Sequence, residues 1–166
     1  ISRYMVSDID EMLVPFDSAV VRNGKFKFEG VCENAEVCFV SSSRILDGGY
    51  VVVEPGVVVF DMADRTSRSG TALNDKMNRF LNEKEKVIAL RGMCAPGIIE
   101  TLAPTKEMRD SVVMMASLAG KVFDLYVVNQ FNEDCKNVFG HFLLTQSVGF
   151  ATSEVLQTLF EKVPEN

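Results

Sequence analysis

The apolar positions of this chain follow two rhythms. Up to about residue 70 they recur every second residue; from about Thr71 they recur every third or fourth. The clearest stretch of the first kind runs from Asp17 to Gly30. At its centre, Asn23 and Gly24 are the residues that best tolerate the positive φ a type I′ turn needs at both middle positions. A two-residue turn there sets Arg22 opposite Lys25, Val21 opposite Phe26, Val20 opposite Lys27 and Ala19 opposite Phe28. Ala19, Val21, Phe26 and Phe28 then share one face, directed at a core. Further strands are expected at residues 3–6, at 35–42 with Val37 and Phe39 on one side, at 50–53 and at 57–60. The valine runs in the last two are continuous, which suits strands covered on both faces. Pro55-Gly56 fits a type II turn, whose twist does not suit a tight hairpin, so a looser corner is expected there. Asp47-Gly-Gly49 marks another turn.

The second rhythm places Leu73, Met77, Phe80, Leu81 and Ile88 on one face of a first helix, capped by Ser69 or Thr71. Gly92 and Ala95-Pro-Gly97 interrupt it, leaving residues 98–102 as a short separate turn. Pro104 suits the opening of a long helix reaching about Asn129. Its stripe of Met108, Val112, Met115, Ala116, Ala119, Val122, Phe123, Tyr126 and Val127 marks it as the central helix, buried among neighbours. A third helix carries Val138, Phe139, Phe142 and Leu143. A fourth begins near Thr152 or Ser153, carries Val155, Leu156, Leu159 and Phe160, and ends at Pro164. The fold class that follows is α+β. An N-terminal antiparallel β-sandwich-like half, residues 1–70, precedes an all-helical half of about four helices, residues 71–166.

Composition narrows the functional classes. The net charge is −6 and the pI about 4.9, with no basic stripe, which argues against a nucleic-acid partner. No unbroken apolar run approaches the roughly 18–20 residues of a membrane span. The chain opens almost directly in strand-like sequence, without a start Met or signal peptide, and reads as a processed or trimmed product. Its four cysteines, Cys32, Cys38, Cys94 and Cys135, form no C-x-x-C pair. Four buried free thiols are the leading expectation. A bond between Cys32 and Cys38, across the turn at residues 33–36, is the alternative. Zinc does not fit, because the spacing is wrong and there is one histidine.

That histidine, His141, would have to serve any Ser or Cys nucleophile. Its setting among Val138, Phe139, Phe142 and Leu143 suits a structural or surface residue better. Asp8, Asp10 and Glu11 form a small acidic cluster too poor in ligands for a calcium loop. Asp61, Asp64 and Arg65 read likewise as a solvated loop. Met108, Met114 and Met115 are expected to pack within the helices, with a partner groove as the alternative. Phe26, Phe28, Phe39 and Phe60 are expected in the sandwich core. A sugar platform is disfavoured, the more so because the chain has no tryptophan. Glycine-rich phosphate cradles are absent. No residue is nominated as catalytic, cofactor-binding or metal-binding, and no cofactor is expected.

Three landmarks occur in order: Ser18 to Gly30, Glu54-Pro-Gly56 followed by Val-Val-Val-Phe-Asp61, and Ser69-Gly-Thr-Ala-Leu-Asn-Asp75. Together they resemble a bacterial envelope domain of unknown function that commonly precedes thioredoxin-like domains of the TlpA/ResA type. The segment Asn129 to Phe142 is similar to a helix of the same family, so the resemblance runs over about residues 4 to 163. It implies an exported protein, periplasmic or an outer-membrane-anchored lipoprotein of a Gram-negative bacterium, with a small β-sandwich before its helices. It supplies no catalytic residues. No thioredoxin domain and no Cys-x-x-Cys lie within these 166 residues, so reductase activity, which needs a paired low-pKa thiol, is not expected. The expected function is a non-catalytic envelope module that binds a protein partner or positions an adjoining domain. Membrane contact would come only through a lipid anchor outside the chain. The alternatives are the docking half of a thiol-disulfide system, and a ligand-binding or hydrolytic protein with a site between sheet and helices.

Overall fold

Strand register at the N-terminus follows from which backbone groups the chain can pair. The computed structural model describes residues 1–6, 11–42, 48–64 and 67–163, with backbone alone at 3–6 and 11–13. Ser2–Val6 (β1) and Glu11–Pro15 (β2) form an antiparallel pair. β1 also pairs with Glu36–Ser41 (β3), which pairs with Gly48–Val53 (β4). The sheet order is β2-β1-β3-β4, and Val59–Phe60 (β5) with Arg68–Ser69 (β6) make a separate two-stranded ribbon.

β3 and β4 are apolar on both faces, as their sequences require. Cys38, Val40 and Val51 form a buried cluster on one face, covered by Ile1, Phe26, Phe28, Val53, Phe60 and Met62. Val37 and Val52 are buried on the other, where Phe39 meets Tyr50 across the strands edge to face at 5.0 Å. The alternation at β3 thus directs two faces inward, not the one holding Val37 and Phe39. Pro55-Gly56 forms a bend and β4 does not pair with β5, so the looser corner is what is found.

The β-sandwich is corrected to small antiparallel sheets. Residues 19–28 do not become two paired strands. Arg22 and Lys25 exchange both backbone bonds (2.8 and 3.0 Å), and Asn23 and Gly24 both have positive φ, 51° and 74°. The type I′ turn therefore forms, but the ladder stops after one bridge. Val20 and Val21 stay exposed, while Phe26 and Phe28 are half-buried, stacked edge to face at 5.8 Å. A two-stranded hairpin is marginal in water unless further strands or a packed face support it, and here two phenylalanines alone provide that face. Val57 and Val59 are likewise exposed, which shortens the expected strand at 57–60 to two residues.

Gly24 has open space around it and φ +74°, so a side chain there would meet backbone strain and no clash. Gly24→Val is expected to destabilise the chain by about 1–2 kcal/mol. Urea unfolding monitored by circular dichroism checks this, and an unchanged midpoint would contradict the turn.

Among the described residues five helices follow: Ala72–Met93 (α1), Ile98–Leu102 (α2), Lys106–Asp134 (α3), Val138–Ser147 (α4) and Ser153–Phe160 (α5). Thr105, Asn137 and Thr152 cap the last three by accepting bonds from the first-turn N–H groups. α1 buries Met77, Phe80 and Val87; Ile88, expected on that face, is exposed. The chain divides into two compact units, Ile1–Asn78 and Arg79–Asn166, with the boundary inside α1 and not at the change of rhythm near residue 70. The second unit is cored by Phe80, Phe123 and Phe142, whose rings lie 5.8 and 6.1 Å from Phe80, and by Val127, Phe131, Phe139, Leu143 and Leu159.

Part of the stripe expected to bury α3 does so: Ala116, Phe123 and Val127 are buried and Val112, Ala119 and Tyr126 half-buried, while Met108, Met115 and Val122 are exposed. Gly120 and Phe131 are buried as well. α3 is apolar on most of its circumference, so periodicity alone does not select a face. The small residues Ala116 and Gly120 allow neighbours to approach on one side, and Phe123, Val127 and Phe131 fill the space there.

Candidate functional site

Three places hold side chains that could carry function. The first lies in the N-terminal unit and joins two of the sequence landmarks. β4 is an edge strand among the described residues, and its Val52 N–H and C=O point away from β3. Asn74 answers both: its Oδ1 accepts from Val52 N (2.9 Å) and its Nδ2 donates to Val52 O (2.6 Å) and to Thr71 Oγ1 (2.8 Å). Glu54 Oε1 accepts from the backbone N–H groups of Leu73 and Asn74 (2.9 and 3.4 Å), capping α1 from a remote loop. Thr71 stands at the N-cap position, its carbonyl accepting from Asp75 N (2.9 Å), and the carboxylate of Glu54 from the second landmark accepts from first-turn N–H groups. The pairing of Glu54 with Asn74 is structural, with Glu54 Oε1 and both amide atoms of Asn74 used to hold helix to strand.

Beside it Arg68 is buried, its guanidinium 5.6 Å from the centre of the Phe60 ring. Burial pushes it down to about 10, against the pull of Asp64, which raises it. Asp61 Oδ1 accepts from Ala63 N (2.9 Å) in a tight loop; Arg65 lies outside the described residues, as do Asp8, Asp10 and the Asp47 of the expected glycine turn. Pro164 does too.

The second place is the corner between α3 and α4. Gln130 Nε2 donates to Asp134 Oδ2 (2.6 Å), and Asn137 Nδ2 donates to Asp134 Oδ1 (2.7 Å). Asn137 Oδ1 in turn accepts from the N–H groups of Phe139 and Gly140. Asp134 is buried and fully engaged, which fits a fixed corner better than an acid or base. Burial raises the Tyr126 phenol above its ordinary value. His141 is exposed on α4, outside this network.

The cysteines are free and dispersed. Cys38 is buried in β3; Cys32, Cys94 and Cys135 are half-buried, in three different loops, against the expectation that all four are buried. Cys32 Sγ donates to the carbonyls of Asn34 (3.0 Å) and Val53 (3.3 Å) and forms no bond with Cys38. Among the described residues no group of three or more His, Cys, Asp or Glu side chains could hold a metal.

The third place is the outer side of α3. Met114, Leu118 and Leu125 are 67%, 60% and 66% exposed, and Met108, Val113, Met115 and Val122 are exposed with them. The three methionines expected to pack in the helical core therefore face outward. By length and composition α3 is also apolar enough to cross a membrane, although no unbroken apolar run suggested it, and only 22% of its most apolar window is buried. Asp110, Val113, Met114, Ser117, Leu118 and Lys121 share one open face of it. Val113, Met114, Leu118 and Leu125 lay outside the stripe expected from the sequence, whose Met108, Met115 and Val122 are exposed beside them.

Residues 2–77 match the model of a family described as a domain of unknown function (DUF4369), a match that falls within the N-terminal unit, Ile1–Asn78. All three landmarks fall inside the match, and the similar segment at 129–142 falls outside it. No curated protein and no solved structure matches the chain.

Proposed function

We propose that this chain is a non-catalytic binding module of the cell envelope that docks a protein through the outer side of α3. The observation that carries the reading is the run of exposed Met, Leu and Val side chains on that helix. Contiguous apolar surface is rare on a soluble monomer and marks contact with another molecule. Methionine suits such a surface, because its flexible thioether adapts to a partner. The polar groups that could do chemistry support the reading by their occupation: Glu54, Asn74, Asp134 and Asn137 are spent on caps and corners. The envelope setting rests on the resemblance of the three landmarks.

A photo-reactive residue in place of Leu118, in the full chain produced in its own host, is expected to trap a protein adduct on irradiation. The same residue at exposed Lys76-adjacent Asp75, in α1, serves as the control and is expected to trap none. Absence of a protein adduct at position 118, or equal labelling at both positions, would overturn the docking reading.

A further inference from the structure

We propose that the partner seated on α3 is a second copy of this chain, its α3 running antiparallel along the face that holds Asp110 and Lys121. This rests on the docking reading above and names its occupant. Asp110, Val113, Met114, Ser117, Leu118 and Lys121 fall at i, i+3, i+4, i+7, i+8 and i+11, a stripe spanning roughly 140° of the helix at 100° per residue. Their order is self-complementary. A two-fold axis level with Met115 and Ala116 sets Asp110 opposite Lys121 of the second copy, and Lys121 opposite its Asp110. The same axis sets Met114 opposite Ser117, a long side chain over a short one. It brings Val113 and Leu118 of the second copy to the same height on the two flanks of the seam.

Charge fixes the direction. The stripe holds one acid and one base, about 16 Å apart at 1.5 Å per residue. A parallel pair in register would set Asp110 against Asp110 and Lys121 against Lys121. The antiparallel pair turns both contacts attractive and repeats each one by symmetry, as a closed two-fold interface does. A lipid surface fits less well. A helix lying on a membrane carries a basic rim along an apolar face, whereas this stripe has a single lysine balanced by an aspartate.

The test is sedimentation equilibrium of the full chain from micromolar to millimolar concentration, with Asp110→Lys, Lys121→Asp and the double variant. Both positions are exposed, and circular dichroism verifies that each variant keeps its helices. The wild type is expected to dimerise. Each single swap creates two like-charge contacts and is expected to weaken the dimer by about tenfold, whereas the double swap restores both pairs and is expected to recover wild-type affinity to within about threefold. Leu118→Glu is expected to abolish dimerisation. Self-pairing through this face is overturned by a wild type that stays monomeric, by a dimer indifferent to the single swaps, or by a double variant no tighter than the singles. A monomer that floats with vesicles of phosphatidylcholine and phosphatidylglycerol overturns it in favour of a lipid surface. A monomer that still traps another protein at position 118 overturns self-pairing and keeps the docking reading; a monomer that traps none removes both.

Discussion

Asn74→Ala is expected to lower the unfolding free energy by about 2–4 kcal/mol, one of the two largest effects of any single change considered for this chain. The side-chain amide of Asn74 stands where the next strand would be. It supplies an acceptor to Val52 N and a donor to Val52 O, at 2.9 and 2.6 Å, on the open edge of β4. Truncation leaves a buried N–H and a buried C=O without partners, and each unmade bond costs about 1–3 kcal/mol. Asn74 is itself fully buried, so water does not replace the amide without a cavity opening. Aspartate at this position keeps the acceptor but loses the donor and buries a charge, so Asn74→Asp is expected to be at least as damaging. Urea unfolding gives the free energy, and hydrogen exchange at the Val52 amide gives the local cause. A Val52 amide as protected in Asn74→Ala as in the wild type would show that the clamp contributes nothing.

Gly140→Ala is expected to destabilise by about 3 kcal/mol or more. A Cβ at Gly140 would overlap the backbone carbonyl oxygen of Asp134 and lie 2.6 Å from its carbonyl carbon and 2.9 Å from Cys135 Cα. These are backbone atoms of the α3–α4 corner, already fixed by the bonds among Gln130, Asp134 and Asn137. Relief would require α4 to move off α3 and would loosen Phe139, Phe142 and Leu143, which are buried. Gly92 in α1 is the matched control, because nothing lies within 4 Å of its Cβ direction. Gly92→Ala is expected to be neutral or to stabilise by up to about 1 kcal/mol through helix propensity. Thermal unfolding of the two variants side by side decides it; equal midpoints would mean that the corner yields at little cost.

The residues that carry these two effects were visible in the sequence as landmarks, but their roles were not. Glu54 and Asn74 stand 20 positions apart in different landmarks, and nothing in local pattern joins them; the bond from the Asn74 N–H to the Glu54 carboxylate does. Asp134, Asn137 and Gly140 lie close in sequence, so a corner there could be read from spacing, yet the clash that demands glycine comes from the path of α3.

Local pattern was enough where one residue type has one physical solution. Asn23-Gly24 made its turn because both residues accept positive φ. Thr152 was expected near the start of the last helix and caps it, because a hydroxyl meets the free first-turn N–H groups. The change of rhythm separated strands from helices, giving an α+β chain. Tertiary structure decided what depends on neighbours distant in sequence. The hairpin arms stopped at one bridge for want of a supporting sheet. The face of α3 that is buried was chosen by Ala116, Gly120 and the aromatic core, since a helix apolar on most sides has no preferred inside. That choice turned Met114, Leu118 and Leu125 outward and left the surface on which the proposed function rests.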